Sequence, residues 1–233
     1  MENQEVKTLI ANSKNIYLIT SEEPEATAST LALFYTLKDL GKNVNLLIDT
    51  LPENIKFLTP SLDFISYPKN FVLSIPSNVA NISQIYYEKN TEALKIHLTL
   101  ENGNIKKDNI AFYFQEAKPD LIITIGIKDY QKELSEKLNS FGFLLDSPVV
   151  NIDNRQDNQK FGKINIIGDC SLAELIFGLA ESNKKEPAIC LLTGLVIYTD
   201  NFKNKITATV FEMASILMKK GADLQEIINN LKI

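Results

Sequence analysis

A carboxylate and the only arginine of the chain stand together at the end of a predicted strand. Residues 149–152 favour a short strand, and Asp153, Asn154 and Arg155 come directly after it. Such a strand delivers side chains to the edge of an open α/β sheet, where ligands bind. A carboxylate there can hold a metal ion, and a guanidinium can hold a carboxylate or a phosphate. The sequence therefore places a candidate functional cleft after residue 152.

The elements that position this cleft predict an α/β fold. Residues 15–20 and 44–48 favour strands, and the segment 26–42 between them has helical spacing, so a parallel sheet with a right-handed crossover is expected. A buried strand at 120–126 and a helix near 130–139 continue the pattern. Further helices are predicted over residues 3–13, from the capping box Ser171 to Glu174 as far as about Ala180, from Pro187, over 206–220 and from Asp223.

Residues 71–115 break this pattern with short alternating runs, which predict an antiparallel β insertion or sheet extension. Asn102-Gly103 is a typical hairpin turn pair and is expected to connect two of its strands. We expect a single domain over residues 1–233, with this insertion, a C-terminal helical part over 186–233, and no second substrate domain. An insertion of this kind is a candidate edge for a protein partner.

Composition excludes several classes of protein. The 24 basic residues against 29 acidic ones give a net charge of −5, so long nucleic acid is not an expected partner. No apolar run reaches a membrane span and the first residues do not form a signal peptide, so we expect a cytoplasmic protein without a membrane partner. Cys170 and Cys190 lack metal-binding spacing and are expected to be buried. His97 is the only histidine, which excludes histidine-cluster metal sites, and it is expected at the surface.

Several motifs in order over about 200 residues resemble the DHH phosphoesterase family, which includes exonucleases of the RecJ type and the nanoRNA and pAp phosphatases. Residues 149–168 resemble its third motif, an N-I-D-H-H run followed by a polar loop and F-G-x-I-N. The other matching segments are residues 31–42, 52–60, 119–126, 171–174, 193–195 and 221–223.

The resemblance implies a two-metal hydrolase site, and this chain departs from it at the first two motifs. In active members, carboxylates and histidines hold two manganese-type ions that activate water for phosphoester hydrolysis. The first motif, H-x-x-P-D-x-D-A, lacks its histidine here, and Glu23 and Glu25 are the closest matches to its aspartates. At the second motif, Gly126 stands where the family has a bridging aspartate.

The third and fourth motifs depart as well. Asp153 is retained, but Asn154 and Arg155 replace the two histidines, and Tyr198 replaces the aspartate of the fourth motif. Arg155 puts a permanent cation where a neutral imidazole would bind metal. The resemblance therefore implies no catalytic residue and no bound manganese, with Asp153 and Glu25 as the surviving metal-ligand candidates. Family hydrolases also continue into a DHH-associated substrate domain, which we do not expect in this chain.

Four functional hypotheses follow. The leading one is a pseudoenzyme kept for binding or assembly with a protein partner or a second copy. Arg155 then either pairs with Asp153 and Glu25 in place of the lost cations, or is a solvated loop residue. A related hypothesis is that Arg155, Asn154 and Asn158 hold a small phosphate or nucleotide without hydrolysing it.

The competing hypothesis is a residual metal-dependent phosphoesterase acting on short oligonucleotides or small phosphodiesters. It uses Asp153 and Glu25, and it needs a third ligand, for which Asp157 and Asp200 are the candidates. An unrelated function on the same fold is the fourth hypothesis, because a fold alone does not determine function.

Overall fold

The computed structural model describes residues 2–48, 50–61, 65, 69–116, 118–134 and 147–232. The chain divides into two compact units, the first formed by Met1–Pro68 with Lys118–Ile233 and the second by Lys69–Ala117. In chain order the strands are β1 (Asn15–Thr20), β2 (Asn43–Leu47), β3 (Lys69–Ser74), β4 (Ala80–Lys89), β5 (Leu94–Gly103), β6 (Ala111–Glu116), β7 (Leu121–Ile125), β8 (Val149–Asp153) and β9 (Ile164–Ile167). The helices named below are α1 (Glu2–Asn12), α2 (Pro24–Asp39), α3 (Leu172–Phe177), α4 (Lys185–Tyr198), α5 (Ala208–Lys219) and α6 (Leu224–Leu231).

The first unit is built on a five-stranded, all-parallel sheet with the strand order β2-β1-β7-β8-β9. Its central strands are buried on both faces, as their continuous apolar runs require. Thr20 pairs with Ile125, and Ile125 pairs with Ile152, so β1, β7 and β8 end side by side. The parallel α/β fold predicted from the sequence is confirmed.

Helices α2 and α4 pack in the main core of this unit. Nearly every residue of α2 from Ala26 to Leu37 is buried, and α4 buries a run from Cys190 to Val196. Gly194 permits close packing, because a Cβ there would lie 2.9 Å from Ser29 Oγ. Among the described residues, no helix is long and apolar enough to cross a membrane.

The second unit consists of two antiparallel, two-stranded sheets, β3 with β6 and β4 with β5. The antiparallel insertion predicted over 71–115 is confirmed. The predicted Asn102-Gly103 hairpin turn is wrong, because these residues end β5 and pair with Asn81 and Ala80. Gly103 serves a different purpose: its φ is +87° and a Cβ would lie 2.3 Å from the Val79 carbonyl oxygen, so the strands approach too closely for a side chain.

Three short segments differ in part from their predicted structure. Residues 53–58, predicted as a turn-rich connection, form a 3-10 helix. Of the helix predicted near 130–139, residues 130–134 are helical and the remainder lies outside the described residues. The capping box at Ser171 and Glu174 is confirmed by reciprocal hydrogen bonds, although α3 ends at Phe177, before the predicted Ala180.

The single histidine lies against a tyrosine and a glutamate, and the two cysteines form no disulfide bond. His97 stacks on Tyr86 with ring centroids 4.5 Å apart, and its Nε2 lies 3.6 Å from a carboxylate oxygen of Glu88. Both cysteines are free thiols. Cys190 is buried, as expected, whereas Cys170 is only half-buried.

Candidate functional site

The candidate site lies where β1, β7 and β8 end and where α2 and α3 begin. Pro24 occupies the first turn of α2, where its missing N–H costs no hydrogen bond, and this start places Glu25 at the sheet edge. Asp153 is the last residue of β8, and Gly126 follows the last residue of β7. The structure thus gathers Glu25, Gly126, Asp153 and the residues that follow Asp153 around one edge.

Asp153 is fully buried, and both of its carboxylate oxygens accept hydrogen bonds. Arg155 Nε lies 3.0 Å from each oxygen. The backbone N–H of Asn154 donates to Oδ1 at 2.9 Å, and Asn158 Nδ2 donates to Oδ2 at 2.6 Å. A buried carboxylate needs a counter-charge and hydrogen-bond donors, and these three donor residues belong to the loop directly after Asp153.

Arg155 ties the ends of β7 and β8 together. Its Nη2 donates to the Gly126 carbonyl oxygen at 2.7 Å and lies 4.0 Å from Glu133 Oε2. The side chain is 35% exposed. The predicted pairing with Asp153 forms. The predicted pairing with Glu25 does not form, and the second carboxylate near Arg155 is that of Glu133.

Asn158 belongs to a buried amide network rather than to an open surface. Its Oδ1 accepts from Asn151 Nδ2 at 2.8 Å and from the Lys160 backbone N–H at 2.7 Å, and its Nδ2 also donates to the Ile127 carbonyl oxygen at 2.8 Å. Thr124 Oγ1 donates to Asn151 Oδ1 at 3.0 Å. Sequence reasoning missed Thr124 and Asn151, although a polar residue inside each apolar strand was the available signal.

Glu25 is held by the start of α3. Its Oε1 accepts from the Leu172 backbone N–H at 2.7 Å, and Asn154 Nδ2 lies 3.5 Å from the same oxygen. Burial raises the pKa of Glu25 to about 7, against the opposing effects of the Leu172 N–H and the Lys205 ammonium, and Glu23 adds to the increase. Lys205 and the Leu172 amide had not been identified from the sequence.

Gly126 occupies a position that no other residue fits. Its φ is +66°, which glycine adopts at no steric cost. A Cβ at this position would lie 2.9 Å from both Ala26 Cβ and Ser21 Oγ, and 3.4 Å from Leu172 Cδ1. The aspartate that the family resemblance implies at the second motif would therefore collide with α2.

The remaining candidate residues are Glu23, Tyr198, Asp157 and Asp200. Glu23 is exposed just before α2 and its side chain makes no capping hydrogen bond. Tyr198 ends α4, with Lys205 Nζ 4.2 Å from its ring centroid, and burial raises the pKa of its hydroxyl. Asp157 is exposed and pairs with Lys128, whereas the exposed Asp200 lies 3.8 Å from Lys203 Nζ.

Metal-binding side chains do not converge in the described part of the chain. Within residues 2–48, 50–61, 65, 69–116, 118–134 and 147–232, no group of three or more histidine, cysteine, aspartate or glutamate side chains could hold a metal ion. At the candidate site, Asp153 and Glu25 supply carboxylates, and Gly126 and Tyr198 supply none.

The chain is similar to a known protein in its fold and not in its sequence. No protein-family model matches the chain, and no curated protein matches it in sequence. Among solved structures, the chain is similar to an exopolyphosphatase-related protein from Bacteroides fragilis, with 15% sequence identity and a TM-score of 0.68. The match covers 99% of this chain and 59% of that one. The chain therefore shares its α/β fold with an exopolyphosphatase-related protein over little more than half of that protein's length.

Proposed function

We propose that this chain is a degenerate DHH-type phosphoesterase domain that does not hydrolyse phosphoesters and that serves a binding or assembly role. One observation carries the proposal. The only acidic ligand that survives intact from the family motifs, Asp153, is fully buried and accepts hydrogen bonds from Arg155, Asn154 and Asn158 on both of its oxygens. The carboxylate that would bind metal is occupied by the protein itself.

The other residues at this edge do not fit a two-ion centre. Two manganese-type ions need several anionic oxygens and neutral imidazoles in fixed positions. Glu25 has a pKa of about 7 and already accepts a hydrogen bond from Leu172. Gly126 has no space for a side chain, and Tyr198 offers a protonated hydroxyl. No metal-dependent step is therefore proposed for these residues.

Arg155 supplies the charge that a metal ion would otherwise supply. Its guanidinium neutralises Asp153 at 3.0 Å, and a divalent ion beside the same carboxylate would face this fixed positive charge. Two like unit charges 4 Å apart repel by about 4 kcal/mol at an effective dielectric constant of 20. A divalent ion doubles that repulsion, which opposes the attraction between the ion and the Asp153 carboxylate.

The test combines metal binding and turnover. Chelator-treated protein is titrated with manganese chloride by calorimetry, and hydrolysis of a dinucleotide and of a generic phosphodiester is followed in the same buffer, beside an active two-metal phosphodiesterase as a control. We expect neither binding nor turnover. Micromolar manganese binding, with turnover that disappears in Asp153→Asn, would establish the residual phosphoesterase instead.

A second candidate function is the binding of a small phosphate or nucleotide at Arg155. It is favoured by the 35% exposure of this side chain and by the absence of any hydrogen bond from its Nη1 to a described residue. Asn154 lies beside it, whereas the amide of Asn158 is already used internally. Titration with inorganic phosphate and with a nucleoside monophosphate tests this function, and binding should weaken in Arg155→Met.

A further inference from the structure

The side edge of the parallel sheet at β9 borders a polar cleft. β9 is the last strand in the sheet order, so its outer side pairs with no described strand. The cleft has a volume of about 440 Å³, which lies in the range of ligand sites in proteins. Its described lining residues all belong to the first unit, and they are Glu5 from α1, Lys160 and Lys163 from the loop after β8, and Ile164, Asn165 and Ile167 from β9.

The cleft follows the strand rather than one face of the sheet. Side chains of successive strand residues point to opposite faces. Ile164 and Asn165 are neighbours on β9, and both line the cleft together with Lys163, the residue just before them. A cavity lined by successive residues of one strand lies at the edge of that strand. The cleft therefore includes the outer edge of β9.

Two residues of β9 direct their backbone groups toward this outer edge. The Gly168 N–H donates to the Asp153 carbonyl oxygen at 3.2 Å, and Asp153 is paired with Ile167. Because alternate residues of a strand bond to one neighbour, the N–H and C=O groups of Asn165 and Ile167 point away from β8. No described residue outside the ladder with β8 forms a hydrogen bond with these groups. An edge strand with unpaired backbone groups is a template for another extended chain.

The charges of the cleft favour an acidic ligand. Lys160 and Lys163 are exposed, and their ammonium groups make no hydrogen bond or ion pair with any residue that the structure describes. Glu5 is the one acidic residue among the described lining residues, so two positive charges face one negative charge. The chain as a whole has a net charge of −5, so this cleft has the opposite sign to the rest of the protein.

We propose that an acidic, extended segment of a partner protein adds to the sheet as a strand beside β9. Its backbone pairs with the outward N–H and C=O groups of Asn165 and Ile167, and its carboxylates pair with Lys160 and Lys163. In this mode of recognition, the main-chain hydrogen bonds supply affinity and the side-chain contacts supply specificity. The complementary charges select the acidic partner.

Other occupants satisfy only part of this edge. A small anion can accept hydrogen bonds but donates none, so it leaves the outward carbonyl oxygens of Asn165 and Ile167 unpaired. A second copy of the chain can pair through its own β9, but Ile164–Ile167 contains no carboxylate for Lys160 and Lys163. An acidic extended chain offers partners to the backbone groups and to both ammonium groups.

The peptide site rests on the binding role in the proposed function, and it specifies the partner. Manganese titration and turnover test the loss of hydrolysis, whereas peptide binding tests the edge of β9. A chain that hydrolyses phosphodiesters and binds the peptide refutes the inactive site alone. An inactive chain that does not bind the peptide refutes the peptide site alone.

The experiment measures binding of a fluorescein-labelled hexapeptide of alternating valine and glutamate to the full chain by fluorescence anisotropy. The double variant Lys160→Gln with Lys163→Gln should bind roughly 5- to 20-fold more weakly, because it removes two exposed charge pairs. Glu5→Gln, which removes the negative charge from the lining, should bind more tightly. The matched control, Lys14→Gln with Lys219→Gln, removes two charges outside the lining and should bind as the wild type does.

Methylation of the peptide backbone tests strand pairing without a protein variant. Only alternate N–H groups of an added strand face β9, so N-methylation of one alternate set should abolish binding and N-methylation of the other set should preserve it. A labelled peptide with glutamine in place of glutamate should bind more weakly, and glutarate, a small dianion, should compete poorly.

Several results refute the proposal. The acidic peptide does not bind the wild type, or it binds as well with glutamine in place of glutamate. Both double lysine variants lose affinity equally, which means that the cleft does not matter. Both N-methylated sets bind equally, which excludes strand pairing. Glutarate displaces the peptide at equal concentration, which makes the cleft a site for small anions.

Discussion

Replacing Arg155 by methionine tests whether the guanidinium holds the end of β8 in place. Methionine keeps much of the length and apolar volume of the stem, so the substitution removes the charge and the hydrogen bonds and little else. Asp153 then stays fully buried, with only the Asn154 N–H and Asn158 Nδ2 as donors. The Gly126 carbonyl oxygen also loses its partner at 2.7 Å.

The expected loss lies between two limits. Removing one partner of a fully buried ion pair costs about 3–5 kcal/mol, whereas an exposed pair contributes about 0–1 kcal/mol. Asp153 is fully buried but Arg155 is 35% exposed, and two donors to the carboxylate remain. We therefore expect a decrease of about 3 kcal/mol in the free energy of unfolding. For a chain of this length that lowers Tm by roughly 6–12 °C.

The assay is urea denaturation followed by far-ultraviolet circular dichroism, with Tm measured in parallel. Lys56→Met is the matched control, because Lys56 forms an exposed pair with Glu53 and its loss should cost less than about 0.5 kcal/mol. If Arg155→Met and Lys56→Met unfold at the same urea concentration, Arg155 is a solvated loop residue and the stabilising pair does not exist.

A double-mutant cycle separates the pair from general damage to the loop. Asp153→Asn in the Arg155→Met background removes the uncompensated buried charge while keeping the shape of the side chain. We expect the double variant to be more stable than Arg155→Met alone, with a coupling energy of about 2 kcal/mol. Additive losses would show that the two side chains act separately.

The remaining predictions concern three other positions. Because the pKa of Glu25 is raised to about 7 by burial, its stabilising effect is complete below pH 4.5 and is lost as the pH rises through 7. Between pH 5 and pH 8, the free energy of unfolding of Glu25→Gln should therefore rise relative to that of the wild type by on the order of 3 kcal/mol. Gly126→Ala should lower the free energy of unfolding by about 2–4 kcal/mol in urea denaturation, because φ is positive and two atoms lie 2.9 Å from the added Cβ. Gly41→Ala should lower it by about 1 kcal/mol, because its φ is +73° but the space around it is open. Ser171→Ala should lose about 1 kcal/mol in the same assay, because it removes the cap of α3.

Each of these predictions can be contradicted by a specific result. Parallel stability profiles of the wild type and Glu25→Gln from pH 5 to pH 8 would show that the Glu25 carboxyl is not desolvated. Equal losses in Gly126→Ala and Gly41→Ala would show that α2 moves to accept a Cβ. An unchanged urea midpoint in Ser171→Ala would mean that water replaces the cap.

The parallel sheet could be predicted because its strands are continuous apolar runs with clear boundaries. Residues 15–20 and 120–126 are bounded by polar residues, and they pair as neighbouring parallel strands. The turn between β4 and β5 was mispredicted because Asn102-Gly103 has turn composition. The actual turn lies at residues 90–93 and has no glycine. The Asn90 side chain closes it, since its Oδ1 accepts hydrogen bonds from the Glu92 and Ala93 N–H groups. A glycine required for close strand approach has the same sequence signal as a glycine required for a turn.

The contacts of the site were only partly predictable, for a similar reason. Arg155 and Asp153 are two residues apart, so their pairing is a local geometric consequence. The partner of Glu25 lies 147 positions away, and it is a backbone N–H that no side-chain pattern reveals. Glu133 was likewise missed, because its approach to Arg155 depends on how the segment after β7 returns over the sheet edge.

The residues at the end of β7 and in the loop after β8 depend on one another in space. The Gly126 carbonyl accepts a hydrogen bond from Arg155, and the positive φ of Gly126 leaves no room for the aspartate of an active site. Arg155 in turn neutralises Asp153, which would otherwise be a buried, uncompensated charge. A histidine at position 155 would replace the permanent guanidinium charge without supplying a second carboxylate at position 126. We therefore expect Arg155→His to destabilise the fold without creating a manganese site, since it breaks the hydrogen bonds of Arg155 to Asp153 and to the Gly126 carbonyl oxygen.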